Sequence, residues 1–175
     1  MSNFLLLLAH NIIYFLVIPI IIAWFISFLS GFLTQWLTLH TSYRITAILS
    51  FFGVITHEVS HLIVAIIFRH HILEFRLWQI SDDGVLGYVN REYNPHSFYQ
   101  KLGNTFISVA PVVGVSSAIL ILMKFVWTSG SYLKIIIVLV IICSFLLGFN
   151  LSTTDWRNCC RGDPFYILVI IIVST

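Results

Sequence analysis

The stretch Phe51-Phe52-Gly53-Val54-Ile55-Thr56-His57-Glu58-Val59-Ser60-His61-Leu62-Ile63-Val64-Ala65-Ile66-Ile67-Phe68 joins two features that seldom meet. It is apolar enough to enter a bilayer, and it carries two histidines and a glutamate at its centre. Ionisable side chains inside hydrocarbon are costly and mark functional positions by default. On a helix, positions i and i+4 share a face, so the imidazoles of His57 and His61 can reach one ion. Gly53, Thr56, His57, Ser60 and His61 form one stripe at helical spacing. That stripe is expected to face a bundle interior and to hold water. Glu58 falls on its flank. His-Glu-x-x-His on a helix is a zinc-hydrolase pattern, in which zinc acts as a Lewis acid and lowers the pKa of a water. The glutamate takes a proton from that water and passes it to the leaving amine. The expectation is therefore Zn2+ held by His57 and His61, with Glu58 as the catalytic base. The bland alternative is a pair of interhelical histidine hydrogen bonds beside a protonated glutamate.

Composition places this stretch in its surroundings. The 175-residue chain is 59% hydrophobic and 9% charged, with a mean hydropathy of +0.98. A soluble domain carries about a quarter charged residues, so this chain is expected in a bilayer. A net charge of +2, with no basic run interleaved with aromatics, argues against a nucleic-acid partner. Cys143, Cys159 and Cys160 match neither a zinc-knuckle spacing nor a disulfide framework. The N-terminal apolar run lacks a basic n-region and an A-x-A-like cleavage site, and reads as a retained span.

The expected fold is an all-α membrane protein forming a single domain over residues 1–175. Four transmembrane helices are expected at about 4–29 (kinked at Pro19), 45–68, 102–127 and 133–151, each near the ~20 residues that span hydrocarbon. Residues 165–173 form a short C-terminal apolar segment. Glu58 is the only acid within these four runs. Between the second and third runs lie Glu74, Arg76, Asp82, Asp83, Arg91 and Glu92. Alternation over Ile72 to Ile80, the turn signal Ser81-Asp82-Asp83-Gly84 and a second short strand over Val85 to Asn90 predict a β-hairpin at 72–90, lying at the membrane surface. Arg69, Arg76, Arg91, Lys101, Arg157 and Arg161 fall on the hairpin side, against Arg44 and Lys134 on the other. The protein is thus expected to be multi-pass, with the hairpin side cytoplasmic.

Catalytic zinc usually has three protein ligands and one open position. Asp155, in Asn150-Leu151-Ser152-Thr153-Thr154-Asp155-Trp156, follows the fourth run on the hairpin side, the side to which His61 lies closer, and is the expected third ligand. Asp163 competes with it, although Asp163-Pro164 also fits a helix N-cap with proline at N1. His10, His40, His70, His71 and His96 follow no ligand spacing.

Taken together and in order, these elements resemble the site-2 protease family of intramembrane metalloproteases over roughly residues 45–156. His57-Glu58-Val59-Ser60-His61-Leu62-Ile63-Val64-Ala65 resembles the family's metal-binding helix. Ile72 to Leu77 and Gly87-Tyr88-Val89 resemble the β-segment that follows it. Ala110-Pro111-Val112-Val113-Gly114 is similar to the family's Ala-Gly-Pro segment, without its central glycine. Phe149-Asn150-Leu151 through Asp155 resembles the motif bearing the third ligand, with Trp156 where the family has glycine. No PDZ domain is expected within these 175 residues. The resemblance implies zinc, hydrolysis of a peptide bond in a membrane-embedded protein substrate, and ligand roles for His57, His61 and Asp155. It also brings in Asn150, which would hold the oxyanion or orient the substrate. A peptide unwound from a substrate helix can pair with an exposed strand edge, which makes Leu73 to Ile80 or Val85 to Asn90, with Val85, Leu86 and Val89, the expected substrate-binding segment. The alternatives are a metal transporter, or a catalytically inactive metal-binding membrane protein.

Overall fold

The computed structural model describes residues 2–81, 84–127 and 131–174, and the side chains of all of these but 2, 3, 127, 161–163 and 173. The chain runs α1 (Ser2–Ile12), a π-helical segment (Ile13–Val17), α2 (Ile18–His40), α3 (Tyr43–Leu49) and α4 (Phe51–Ile67). These lead into β1 (His71–Arg76), β2 (Tyr88–Glu92), α5 (Phe98–Trp127), α6 (Tyr132–Leu147) and α7 (Thr153–Ser174). The protein is mostly helical, with one small two-stranded sheet. Two helices are long and apolar enough to cross a membrane, Phe4–His40 and Phe98–Val126, and the bent pair α3–α4 makes a third if counted as one span. At 16 residues, α6 is shorter than those spans.

The first helix extends well past the expected end at residue 29. Pro19 cannot donate to the carbonyl of residue 15 and its ring crowds it. The chain absorbs this by widening into the π segment just before Pro19 instead of breaking. Tyr166 on α7 donates its hydroxyl to the Phe15 carbonyl at 3.3 Å. Further along α2, Ser27, Ser30, Thr34 and Thr38 recur at three- and four-residue spacing and so share one face. Ser30 and Thr34 both donate to the Leu147 carbonyl at the end of α6, at 3.3 and 3.0 Å.

The helix-pair α3–α4 bends by 62° at the buried Ser50, whose hydroxyl donates to the Ala47 carbonyl at 3.1 Å. Along α4 the residues Gly53, Val54, His57, Ser60, His61 and Ala65 are buried. Two glycine contacts set this face against its neighbours. A Cβ on Gly53 would collide with the Ser144 carbonyl and lie 2.8 Å from Gly148 Cα, so α4 and α6 touch backbone to backbone. A Cβ on Gly114 of α5 would strike the Ser60 side chain. Small residues permit such approaches, and packing rather than water then holds the helices together.

The hairpin differs from its expectation in length and position. β1 and β2 pair antiparallel from His71↔Glu92 to Arg76↔Tyr88, with an irregularity between Ile72 and Glu74. The first strand ends at Arg76 rather than Ile80, and Val85 and Leu86 precede β2. Past Arg76 the regular ladder stops, although Gln79 N still donates to the Leu86 carbonyl at 2.7 Å, and between them Trp78 turns toward α3. Its indole donates to the Ala47 carbonyl at 3.2 Å and its ring meets Phe51 edge-on. The expected turn forms at Gly84, which has φ 79° and donates to the Ser81 carbonyl at 3.2 Å; Asp82 and Asp83 lie outside the described residues. Trp78 against Ala47 and Phe51, and Gly87 against Glu58, set the hairpin beside α3 and α4. It doubles back along α4, from the Phe68 end to the Phe51 end.

The C-terminal segment is also longer than expected. Pro164 sits inside α7, not at its first turn, because the helix starts at Thr153. Its far end reaches α1, where Asn11 Nδ2 donates to Ser174 Oγ at 2.9 Å.

Gly53→Ala is expected to destabilise the bundle by about 1–3 kcal/mol, the usual cost of overpacking. Gly31→Ala, whose Cβ would meet nothing nearer than 3.8 Å, should be neutral or slightly stabilising. Thermal unfolding of both variants in detergent checks the contrast.

Candidate metal centre

The helical stripe of α4 brings His57 and His61 onto one face, and their Nε2 atoms lie 3.0 Å apart. Asp155 Oδ1 stands 3.4 Å from His61 Nε2. Nitrogen and oxygen atoms of the three side chains fall within 4.8 Å of one another, as a metal site requires.

Each member is held from behind. His61 Nδ1 lies 2.7 Å from the Ile107 carbonyl. A carbonyl only accepts, so Nδ1 carries the proton and Nε2 offers its lone pair to the cluster. The availability of that carbonyl has a sequence cause. Four residues on is Pro111, inside α5, and proline has no N–H with which to satisfy it. His57 is buried with its ring edge-on to Phe149, and its Nδ1 has no partner among the described residues.

Asp155 is set by the start of α7. Its backbone N–H donates to Ser152 Oγ at 3.1 Å. In return Ser152 N and Ser152 Oγ donate to Asp155 Oδ2 at 2.9 and 2.6 Å. This is a capping box, Ser152-x-x-Asp155, and it opens the helix. One carboxylate oxygen is spent on the cap, while the other faces the histidines. The turn before it is tied to α2, where Ser27 Oγ accepts from Leu151 N at 3.0 Å and donates to Asn150 Oδ1 at 3.2 Å.

The cluster fits a cation. With His61 Nδ1 protonated, His61 Nε2 and Asp155 Oδ1 are both acceptors, and a proton on His57 Nε2 could serve only one of them along its bond. A metal ion would satisfy all three at once. Two imidazoles and a carboxylate suit zinc and other first-row metals.

A cavity of about 770 Å³ opens beside the cluster. It is lined by His57, Glu58, His61 and Asp155, by Asn150, and by hairpin residues that include Val85, Leu86, Gly87, Val89 and Arg91. Gly87 is where the hairpin meets the helix, since a Cβ there would lie 2.8 Å from Glu58 Cγ. His57, Glu58, His61, Asn150, Asp155 and the Val85 to Asn90 segment thus share one cavity, which no residue of the other candidate segment, Leu73 to Ile80, lines; the side chain of Asp163 lies outside the described set.

Several contributors were not foreseen. Ser152 was legible as the first residue of an S-x-x-D cap, and Ser27 as a polar residue in an apolar span. Arg91 had no motif around it. Its Nη1 donates to His70 Nδ1 at 2.7 Å and to Asn104 Oδ1 at 2.9 Å, and His70 Nε2 in turn donates to the Gln100 carbonyl at 2.9 Å. Burial pulls the Arg91 guanidinium below its usual value, with Asp155 opposing that shift.

Set against models of protein families, curated proteins and solved structures, the chain finds no match. Fold and site together describe a mostly helical protein with two or three helices long and apolar enough to cross a membrane, and a cluster of two buried histidines and the half-buried Asp155 that could hold a metal ion.

Ser152→Ala should leave all three ligands in place yet weaken metal binding about 10–100-fold, the usual range for an outer-shell partner. It should also cost α7 about 1 kcal/mol. Competition with a chelator and thermal unfolding read the two effects. Pro111→Ala restores an N–H beneath the Ile107 carbonyl. Nitrogen NMR of the His61 ring is expected to report a smaller share of the Nδ1–H tautomer, with metal affinity lowered by up to about tenfold. An unchanged tautomer and affinity would remove proline from the account.

Proposed function

We propose that this chain is an intramembrane zinc metalloprotease that hydrolyses a peptide bond in a membrane-embedded protein substrate, in the manner of the site-2 protease family it resembles. The observation that carries the reading is the convergence of His57 Nε2, His61 Nε2 and Asp155 Oδ1 on the wall of a cavity that Glu58 also lines. In this reading the chain crosses the bilayer four times, through α1–α2, α3–α4, α5 and α6, with the hairpin entered from the cytoplasmic side.

His57, His61 and Asp155 would hold the zinc. Bound there, it would supply a Lewis acid and a water of near-neutral pKa. The residues of the chain do the rest. Glu58 adjoins His57 on α4 and lines the cavity wall, where the absence of a Cβ on Gly87 leaves room for its side chain. From there it takes a proton from the attacking water and returns it to the leaving amine. Asn150, held by Ser27, presents an amide to the same cavity and is suited to the oxyanion or to a substrate carbonyl.

A peptide bond in a helix is shielded by its own turns, so the substrate must unwind before cleavage. Residues 85–91 line the cavity. A substrate strand laid against them would recover the hydrogen bonds it lost on unwinding. Irregular backbone at membrane depth is tolerated where it lines a cavity inside protein, and the hairpin along α4 meets that condition.

The test compares wild type with Glu58→Gln for zinc content and for cleavage of co-expressed, tagged single-span substrates. Both proteins should hold about one zinc, and the variant should lose cleavage by about 10²–10⁴-fold. A folded protein without zinc would defeat the reading. Zinc with undiminished function in Glu58→Gln would point to a metal carrier instead.

A further inference from the structure

The cavity contains a cation that the proposed chemistry does not use. Arg91 lines it together with the metal-binding cluster. A guanidinium has five N–H donors. Among the described residues, Nη1 alone is engaged, by the neutral acceptors His70 Nδ1 and Asn104 Oδ1. No carboxylate among the described residues pairs with Arg91. Nε and Nη2 are left for whatever occupies the cavity, and a partly buried guanidinium is stabilised by a planar, bidentate anion.

We propose that Arg91 is a specificity-determining residue that receives a carboxylate of the peptide occupying this cavity. The inference rests on the protease reading for its ligand class. It is carried by position. Arg91 belongs to β2, paired with Ile72 on β1, and follows Val89 and Asn90 along the cavity wall. A peptide laid beside residues 85–91 therefore brings one of its side chains, or its C-terminal carboxylate, to the guanidinium. The same cavity bears Glu58 and Asp155, the latter near enough to act on the guanidinium, so an acidic residue is disfavoured wherever it does not reach Arg91 itself. The carboxylate is accepted at one substrate position and penalised at others, so the recognition has a positional signature. His70 and Asn104 are positioning residues: by occupying Nη1 they fix the plane of the guanidinium.

The experiment uses the full chain carrying Glu58→Gln, loaded with zinc in detergent, so that peptides bind without being cut. Blocked apolar hexapeptides with Glu or Gln stepped through each position are titrated, and one further pair differs only in a free or amidated C-terminus. At one position, or with the free C-terminus alone, the acid should bind at least about tenfold tighter than its amide, as a charge-assisted pair implies. Which pair responds distinguishes a side-chain carboxylate from a terminal one. Adding Arg91→Gln should abolish the preference, Arg91→Lys should retain a weaker one because it keeps charge without the fork, and Arg91→Glu should transfer it to a Lys peptide. The readout is a ratio of two peptides on one protein, so a loss of folded protein lowers both members alike. Equal binding of acid and amide at every position overturns the proposal, as does binding of no acidic peptide or a preference that survives in Arg91→Gln. With Glu58 restored, cleavage without charge preference would sink the Arg91 assignment and spare the protease reading. A charge preference without cleavage of any bound peptide would do the reverse.

Discussion

A backbone carbonyl that loses its helical donor inside an apolar bundle has no water to turn to, and leaving it bare costs as much as a lost hydrogen bond. Several contacts between helices in this protein answer that demand. Pro111 strips the donor from Ile107, and His61 takes the carbonyl. Pro19 does the same to Phe15, and the Tyr166 hydroxyl covers it. The end of α6 leaves Leu147, which Ser30 and Thr34 share, and the end of α4 leaves Ile67, which Tyr99 caps at 2.9 Å. Each capture joins elements distant in sequence. One of them also decides the protonation of a metal-binding candidate, so the solution to a folding problem doubles as the support of the site.

The same logic delivers Asp155. Helix α6 ends against the hydroxyl face of α2, and Ser27 then binds the next turn through Leu151 N and the Asn150 side chain. Close contact of Gly53 with Gly148 brings that turn onto the histidine helix. Once the turn is fixed, the capping box spends one oxygen of Asp155 on its own helix and leaves the other toward His61. The third member of the cluster is thus placed by helix endings rather than by a long preformed element, which is why sequence spacing alone could not separate Asp155 from Asp163.

What the sequence makes legible follows the range of the forces involved. The α4 stripe is local, written in a period of 3.6, and Gly53, His57, Ser60 and His61 are buried as that period requires. The apolar runs mark the helices but place their ends poorly. The first continues to His40 because nothing after Gly31 stops a helix, and α7 begins at Thr153 because the Ser152 cap outweighs the later Asp163-Pro164 signal. The length and position of the hairpin are set by Trp78 and Gly87 meeting α3 and α4. Such contacts carry no periodic trace. Arg91 escaped for the same reason, since its partners His70 and Asn104 come from two different elements.

Charge balance connects these parts. The cavity wall gathers two imidazoles, two carboxyl groups and one guanidinium in surroundings that stabilise none of them alone. A divalent cation between His57, His61 and Asp155 would offset the acceptors of the cluster. Arg91, on which Asp155 also acts, has spent Nη1 on neutral partners, and no carboxylate among the described residues forms an ion pair with it. The cavity of about 770 Å³ is lined by both the metal-binding cluster and residues 85–91. Packing of Trp78 and Gly87 is enough to hold the hairpin against α3 and α4, and its consequence is that residues 85–91 and the His-His-Asp cluster face one shared space.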